Sequence, residues 1–356
     1  MASDRNSDSS LSKVVKTGML TACLATASVA MTGCSTQKEL KVGEKLQRNG
    51  KEIVVAGQLY NIDAPVVLWT DTGGYDAYRV EKRFGKYDDS KWDNIKDSID
   101  TPNRYNVRFG RTSQGVWNEE EIEQIRGGGW DLAKLQDKVD QFVYHYDVCG
   151  TSEVCFKVLH DMRGLSVHFM LDIDGTIYQT MDLKERAWHA GTSNDRSIGI
   201  EIANIGAYSA EALKKDGNAL DTWYKWDEDH KTYISIPERL GDGGVKTPDF
   251  VGRPFYNDKV KGEVQGGELY QYDLTPEQYD SLIKLTAAIS EIFPKIDLVY
   301  PTDENGELIT KVLPNNGADF QGFVGHYHIA GYKIDPGPAF QWEYVMEEAK
   351  KLKEAK

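Results

Sequence analysis

Two of the seven histidines fall where a folded chain can do chemistry. His145 closes the apolar run Phe142-Val143-Tyr144, and His326 closes Phe323-Val324-Gly325. Each run reads as a buried strand, and open α/β sheets bind ligands at the carboxyl ends of their strands. Asp335 follows His326 in the next loop, which Pro336 and Pro338 stiffen. Two neutral imidazoles and one carboxylate are a usual protein set for catalytic Zn²⁺, with a fourth position left for water. So held, the ion keeps a net positive charge that polarises a carbonyl and acidifies water. For each histidine taken singly, the alternative is a hydrogen-bonded structural residue at a strand end.

The elements that must position these groups can be read from about residue 132 onward. Leu132, Leu135, Val139 and Phe142 fall at helical spacing and lead into the strand through Tyr146, and Val154, Val158, Leu159 and Met162 mark a second helix. Residues 166 to 181 read as a β-hairpin about Asp174-Gly175. In the strand from Ser197 to Asn204, Ile198, Ile200 and Ile202 share one face and Glu201 takes the other. Thr275, Pro276 and Gln278 supply an N-cap, a first-turn proline and a capping box for a helix to about Phe293. Residues 340 to 353 read as a closing helix. This alternation predicts an α/β fold, a mixed central β-sheet flanked by helices. Residues 208 to 270, rich in Gly, Asp and Lys without a sustained period, read as an insertion of surface loops.

With 356 residues, 40% hydrophobic and 28% charged, the chain can bury a full core. Its formal charge of −14, with no basic stripe, argues against a nucleic-acid partner. Lys13 and Lys16 precede an apolar stretch from Met19 to Gly33, shorter than the ~20 residues a membrane-spanning helix needs. It reads as a signal-peptide core, and Met31-Thr32-Gly33-Cys34 resembles a bacterial lipobox. The expectation is a lipoprotein signal peptide over 1–33, a lipid on Cys34, a polar tether over 34–50, and an exported protein anchored to a membrane and facing the periplasm or the exterior. A rival lipobox ending at Cys23 leaves too little apolar chain ahead of it. Residues 51 to 130 read as an N-terminal extension with two strand-like runs, 52–56 and 66–70. After export Cys149 and Cys155 remain in an oxidising compartment, so a disulfide between them is expected.

Residues 140 to 345 resemble the zinc-dependent N-acetylmuramoyl-L-alanine amidases of the type-2 amidase and peptidoglycan recognition protein family. The matching segments, in the family's order, are Val143-Tyr144-His145, Ser166-Val167-His168-Phe169 with Asp174-Gly175-Thr176-Ile177-Tyr178-Gln179, Arg186-Ala187-Trp188-His189-Ala190-Gly191, Asn194 to Glu201, Gly325-His326, and Lys333 to Phe340. The resemblance implies the family's fold over 131–356, Zn²⁺ on His145, His326 and Asp335, and peptidoglycan or muropeptides as partners. It places Glu201 as the catalytic acid and base, Lys333 as the cation beside the developing oxyanion, and Arg186, Trp188, His189 and Asn194 against substrate. The family's cysteine pair recurs as Cys149 and Cys155. Each role has a structural rival: Glu201 paired with Arg186 or Arg196, Lys333 as a solvated loop residue. One departure stands out. Many members have Asp where this chain has His328, and on a continuing strand His328 would share a side with His326 and compete for the metal. The implied reaction is hydrolysis of the amide between N-acetylmuramic acid and L-alanine. The rivals are a wall-binding protein that has lost catalysis and a hydrolase of another cell-wall amide.

Overall fold

Six strands form one mixed sheet in a computed structural model that describes residues 41–91 and 131–355, with positions 93, 108, 119, 120 and 123 between them. The expected signal peptide, Cys34 and residues 35–40 of the tether lie outside the described residues. Arg48–Lys356 is one compact unit and Met1–Gln47 another. Among the described residues no helix is long and apolar enough to cross a membrane.

In chain order the sheet takes β3 (Val66–Leu68), β4 (Gln141–Tyr146), β5 (Phe169–Leu171), β6 (Ile177–Gln179), β7 (Ser197–Ile202) and β12 (Gly322–Gly325). In space the order is β12-β4-β7-β5-β6-β3, parallel throughout except for the β5–β6 hairpin. The centre is set by alternation along β4 and β7. Phe142, Tyr144 and Tyr146 enter the main core with Ile198, Ile200 and Ile202. The Tyr144 ring meets Phe340 at 4.8 Å and Phe323 at 5.7 Å. The opposite face is then left to His145 and Glu201, which stand directly across from each other in the β4–β7 register.

Helix α1 (Leu132–Lys138) leads into β4 from an Asp131 cap. Helix α2 (Ser152–Phe156) is capped by Thr151 and continues as a π-helix over Lys157–Met162. Helix α3 (Pro276–Ile292) starts with the expected capping box, Thr275 to Gln278. It packs against the C-terminal helix α5 (Trp342–Glu354), introduced by the single turn α4 (His326–Ile329). Ser281 Oγ donates to Gly175 O at 2.6 Å, and Gly175, at φ +81°, has no room for a Cβ beside Glu277 O. The glycine is what lets the hairpin tip rest on the first turns of α3.

The 208–270 segment is more ordered than surface loops. It holds the hairpins β8 (Tyr224–Trp226) with β9 (Thr232–Ile234) and β10 (Val260–Val264) with β11 (Gly267–Gln271). Its own small core contains Ile205, Leu220, Trp223, Tyr224 and Tyr272, with the two tyrosines stacked at 4.1 Å. Strands this short carry too few residues for a period to register. The signal was in the turn: Gln265 and Gly266 both take positive φ, as a tight hairpin demands.

The extension is built into the same unit. A hairpin of β1 (Glu52–Val55) and β2 (Gln58–Asn61) leads to β3 at the sheet edge. The Gln179 amide brackets Val54, accepting from its N–H and donating to its carbonyl, both at 2.8 Å. Asp182 accepts from Ala56 and Gly57 N–H, and Asp161 from Arg83 and Phe84 N–H.

Candidate metal centre

The end of β4, the start of α4 after β12, and the loop beyond it bring three ligand-bearing groups to one edge. His145 Nδ1 lies 2.8 Å from Asp335 Oδ2 and 3.0 Å from His326 Nδ1, and His326 Nδ1 is 3.0 Å from the same carboxylate oxygen. All three residues are buried. Around a tetrahedral Zn²⁺ with bonds of ~2.0–2.1 Å, ligand atoms stand roughly 3.3 Å apart, so the trio needs only a few tenths of an ångström of spread. Its nitrogen and oxygen donors suit that ion.

The tautomers follow from the surrounding network. His145 Nε2 lies 3.0 Å from His189 Nδ1, and His189 Nε2 lies 3.2 Å from Ser197 Oγ. When His145 donates through Nε2, its Nδ1 turns a lone pair toward Asp335 and His326, an arrangement that a cation satisfies. His189 then passes its own Nε2–H to Ser197. Gly199 makes room for the His189 ring, since a Cβ there would stand 2.3 Å from His189 Nδ1. Burial and the neighbouring His326, working against Asp335, pull His145 down to about 4, which keeps the imidazole neutral. Burial alone would raise Asp335, but the imidazoles of His326 and His145 hold its carboxyl well below the usual range.

His328 is not part of this group. The chain leaves β12 at Gly325 and turns directly into α4, so residues two apart no longer share a side. His328 Nδ1 accepts from Gly325 N–H at 2.9 Å, and Nε2 donates to Ile309 O at 2.6 Å. The expected competition for metal rested on a continuing strand, and the helical turn removes it.

The trio opens into a cleft of about 160 Å³ whose wall includes Glu201, Lys333, Trp188 and His189. Glu201 is half-buried. Burial, then the charges of Asp335 and Asp147, push its carboxyl well above the usual value, against Lys333. It has neither of the arginine partners considered for it: Arg186 pairs with Asp195 at 2.8 Å and Arg196 with Asp140. Arg186 and Asn194 do not line the cleft. Arg186 lies over the Trp188 ring at 4.5 Å, and Asn194 Oδ1 accepts from the N–H groups of His189 and Ala190. Both act on the loop that carries Trp188 and His189. Arg163, Ser166 and Asp147 also line the cleft. Isolated polar residues carry no period or spacing, so nothing in the sequence marked them apart from the Ser166-Val167-His168 segment.

Cys149 and Cys155 line the same cleft as free thiols, so the expected disulfide is not formed. The turn from β4 into α2 brings the two thiols to hydrogen-bonding range, and burial and that contact push the Cys155 thiol well up.

Residues 135–338 match the family described as N-acetylmuramoyl-L-alanine amidase. The 1,6-anhydro-N-acetylmuramyl-L-alanine amidase AmpD of Haemophilus influenzae is 25% identical over 226 residues, covering 63% of this chain and 74% of that one. Among solved structures, a selenomethionine derivative of AmpD aligns at 18% identity and a TM-score of 0.29 over 60% of this chain and 86% of its own. AmiD of E. coli, in complex with anhydro-N-acetylmuramic acid-L-Ala-D-gamma-Glu-L-Lys, aligns at 20% identity and a TM-score of 0.31 over 59% of this chain and 57% of its own. The family match takes in most of the sheet, the cleft and all three members of the trio, and the chain belongs to the N-acetylmuramoyl-L-alanine amidase family.

Proposed function

We infer that the protein hydrolyses the amide bond between N-acetylmuramic acid and L-alanine in peptidoglycan fragments, with Zn²⁺ held by His145, His326 and Asp335. The observation that carries the metal is the convergence of two imidazole nitrogens and one carboxylate oxygen within 3.0 Å of one another. When bound there, Zn²⁺ supplies Lewis acidity toward the scissile carbonyl and toward water.

The remaining work belongs to side chains. Glu201, across the register from His145, takes the proton from the attacking water and returns one to the departing L-alanine nitrogen. Lys333 on the cleft wall offsets the negative charge that develops on the carbonyl oxygen. Trp188 supplies an apolar wall for the substrate, and His189 fixes the orientation of His145. Retention of the whole ligand trio speaks against a wall-binding protein that has lost catalysis.

Purified protein incubated with muropeptides is expected to release free stem peptides, identified by mass. Dipicolinate should stop the reaction and added Zn²⁺ restore it. Absence of stem-peptide release from any muropeptide would overturn the assignment; release that persists without metal would overturn the zinc centre.

We further propose that the reaction takes place outside the cytoplasm, on a chain anchored through a lipid on Cys34. The support is the order Lys13, Lys16, the apolar stretch and Met31-Thr32-Gly33-Cys34. Metabolic labelling with a fatty acid should mark the wild-type chain and not Cys34→Ser. Equal labelling of both would sink the anchor.

A further inference from the structure

The geometry points to Arg108, in the N-terminal extension, as a positioning residue for the loop that carries Trp188 and His189. Arg108 is fully buried. Its guanidinium reaches main-chain carbonyls at both ends of that loop: Leu183 O at 3.0 Å from Nη2, and Asn194 O at 3.3 Å, Asp195 O at 3.4 Å and Ser197 O at 2.8 Å from Nη1. Nη2 also lies 2.9 Å from His168 Nε2, itself a donor to Glu185 O, so this approach is a contact and not one of the hydrogen bonds of the grip.

Two of the gripped residues are the ones that hold His189. Asn194 Oδ1 accepts from the His189 N–H, and Ser197 Oγ meets the His189 ring at Nε2. The other ring nitrogen of His189 faces His145. A continuous set of contacts therefore runs from Arg108 through the backbone of Asn194 and Ser197 to His189, and from there to the first member of the trio. His168 adds a brace on the same side: its Nδ1 accepts from Gly199 N–H on β7 and its Nε2 donates to Glu185 O within the loop. Burial and the Arg108 cation pull His168 down to about 3, so it stays neutral and keeps that tautomer.

A planar fork suits this loop better than a point charge does. Between Leu183 and Ser197 the loop has one short turn, Gly191–Ser193, as its only regular structure. Donors fanned in one plane can close both ends on a single group, whereas an ammonium is a point. Burial pulls the guanidinium down to about 10, so it remains charged at neutral pH. Through this residue the extension holds the substrate loop against β7.

The inference rests on the amidase reading for its kinetic test and on neither metal nor substrate for its structural one. In the full chain, Arg108→Ala should speed hydrogen exchange of the 186–195 amides while the core strands stay protected. At saturating Zn²⁺ it should lower kcat/KM by roughly 100-fold, the scale of an ångström's misplacement of a catalytic group. Millimolar guanidinium ion should restore part of the loss in Arg108→Ala and none in wild type, an effect that a general loss of stability cannot produce. Arg108→Lys, with three donors for four carbonyls, should fall between. Wild-type exchange in the loop of Arg108→Ala overturns the inference, as does a kinetic loss that guanidinium leaves unchanged. Should Arg108→Ala fail to fold, Arg108→Lys decides: faster loop exchange over an intact core supports the role, and wild-type exchange overturns it. If the wild-type chain cuts no muropeptide, the exchange result still stands alone.

Discussion

Glu201→Gln is expected to leave the fold and zinc affinity intact and to lower kcat by roughly 10³-fold, within the range that general acid and base catalysis supplies. The substitution keeps the volume and polarity of the side chain and removes its capacity to take a proton. Three observations single this carboxyl out. It sits opposite His145 in the β4–β7 register, on the face away from Ile198, Ile200 and Ile202. It lines the cleft beside the trio without being part of it. Its carboxyl is pushed well above the usual value by burial and by Asp335 and Asp147. The sign of the pH dependence follows. The base form is lost as pH falls through the raised value, so the wild-type kcat profile has an acid limb that Glu201→Gln lacks. The ionised form is also the one that burial disfavours, so the neutral variant should melt no lower than wild type at pH 7. Stopped activity with full zinc occupancy and an unchanged melting temperature would establish the role. A kcat within tenfold of wild type would remove Glu201 from the chemistry.

The sheet centre and the α3 cap could be read from the sequence because each rests on a local rule, whereas the trio, whose members lie up to 190 positions apart, was implied by the family resemblance. Alternation in Ser-Ile-Gly-Ile-Glu-Ile places Glu201 opposite the core, and Thr275 to Gln278 mark the start of α3. What escaped reading depends on distant partners. The run 66–70 reads as strand-like and Val66–Leu68 forms β3, but its place at the sheet edge beside β6 carries no local signal. The β8–β9 strands are equally short, the β10–β11 strands have five residues each, and Tyr224 of β8 stacks on Tyr272, just past β11. Arg108 belongs to the same class. In sequence it is one cation in a stretch without period, and its meaning comes from carbonyls 75 to 89 positions away. Cys149 and Cys155 lie near each other at the cleft as free thiols.

The contrast between His326→Ala and His328→Ala should be the largest in metal content. His326 gives Nδ1 to the trio, 3.0 Å from both His145 Nδ1 and Asp335 Oδ2. Its removal leaves one imidazole and one carboxylate, too few for a catalytic zinc site, which takes three protein ligands. The purified variant should therefore carry no stoichiometric zinc and show no detectable activity. It should remain folded, since the histidine begins a single turn at the sheet edge and supports no layer. His328→Ala should behave in the opposite way. Both of its ring nitrogens are used inside the protein, one by Gly325 N–H and one by Ile309 O, and the side chain is fully buried. Truncation strands a buried donor and a buried acceptor at about 1–3 kcal/mol each, together with a cavity. A loss of about 2–5 kcal/mol in denaturant unfolding is expected, with zinc still bound in whatever fraction stays folded. The reason for the difference is a backbone event: the chain becomes helical at His326, so the next histidine along swings by roughly 200° instead of returning to the same side. Zinc lost in His328→Ala and retained in His326→Ala would mean that the strand continues and that the ligand assignment must move with it.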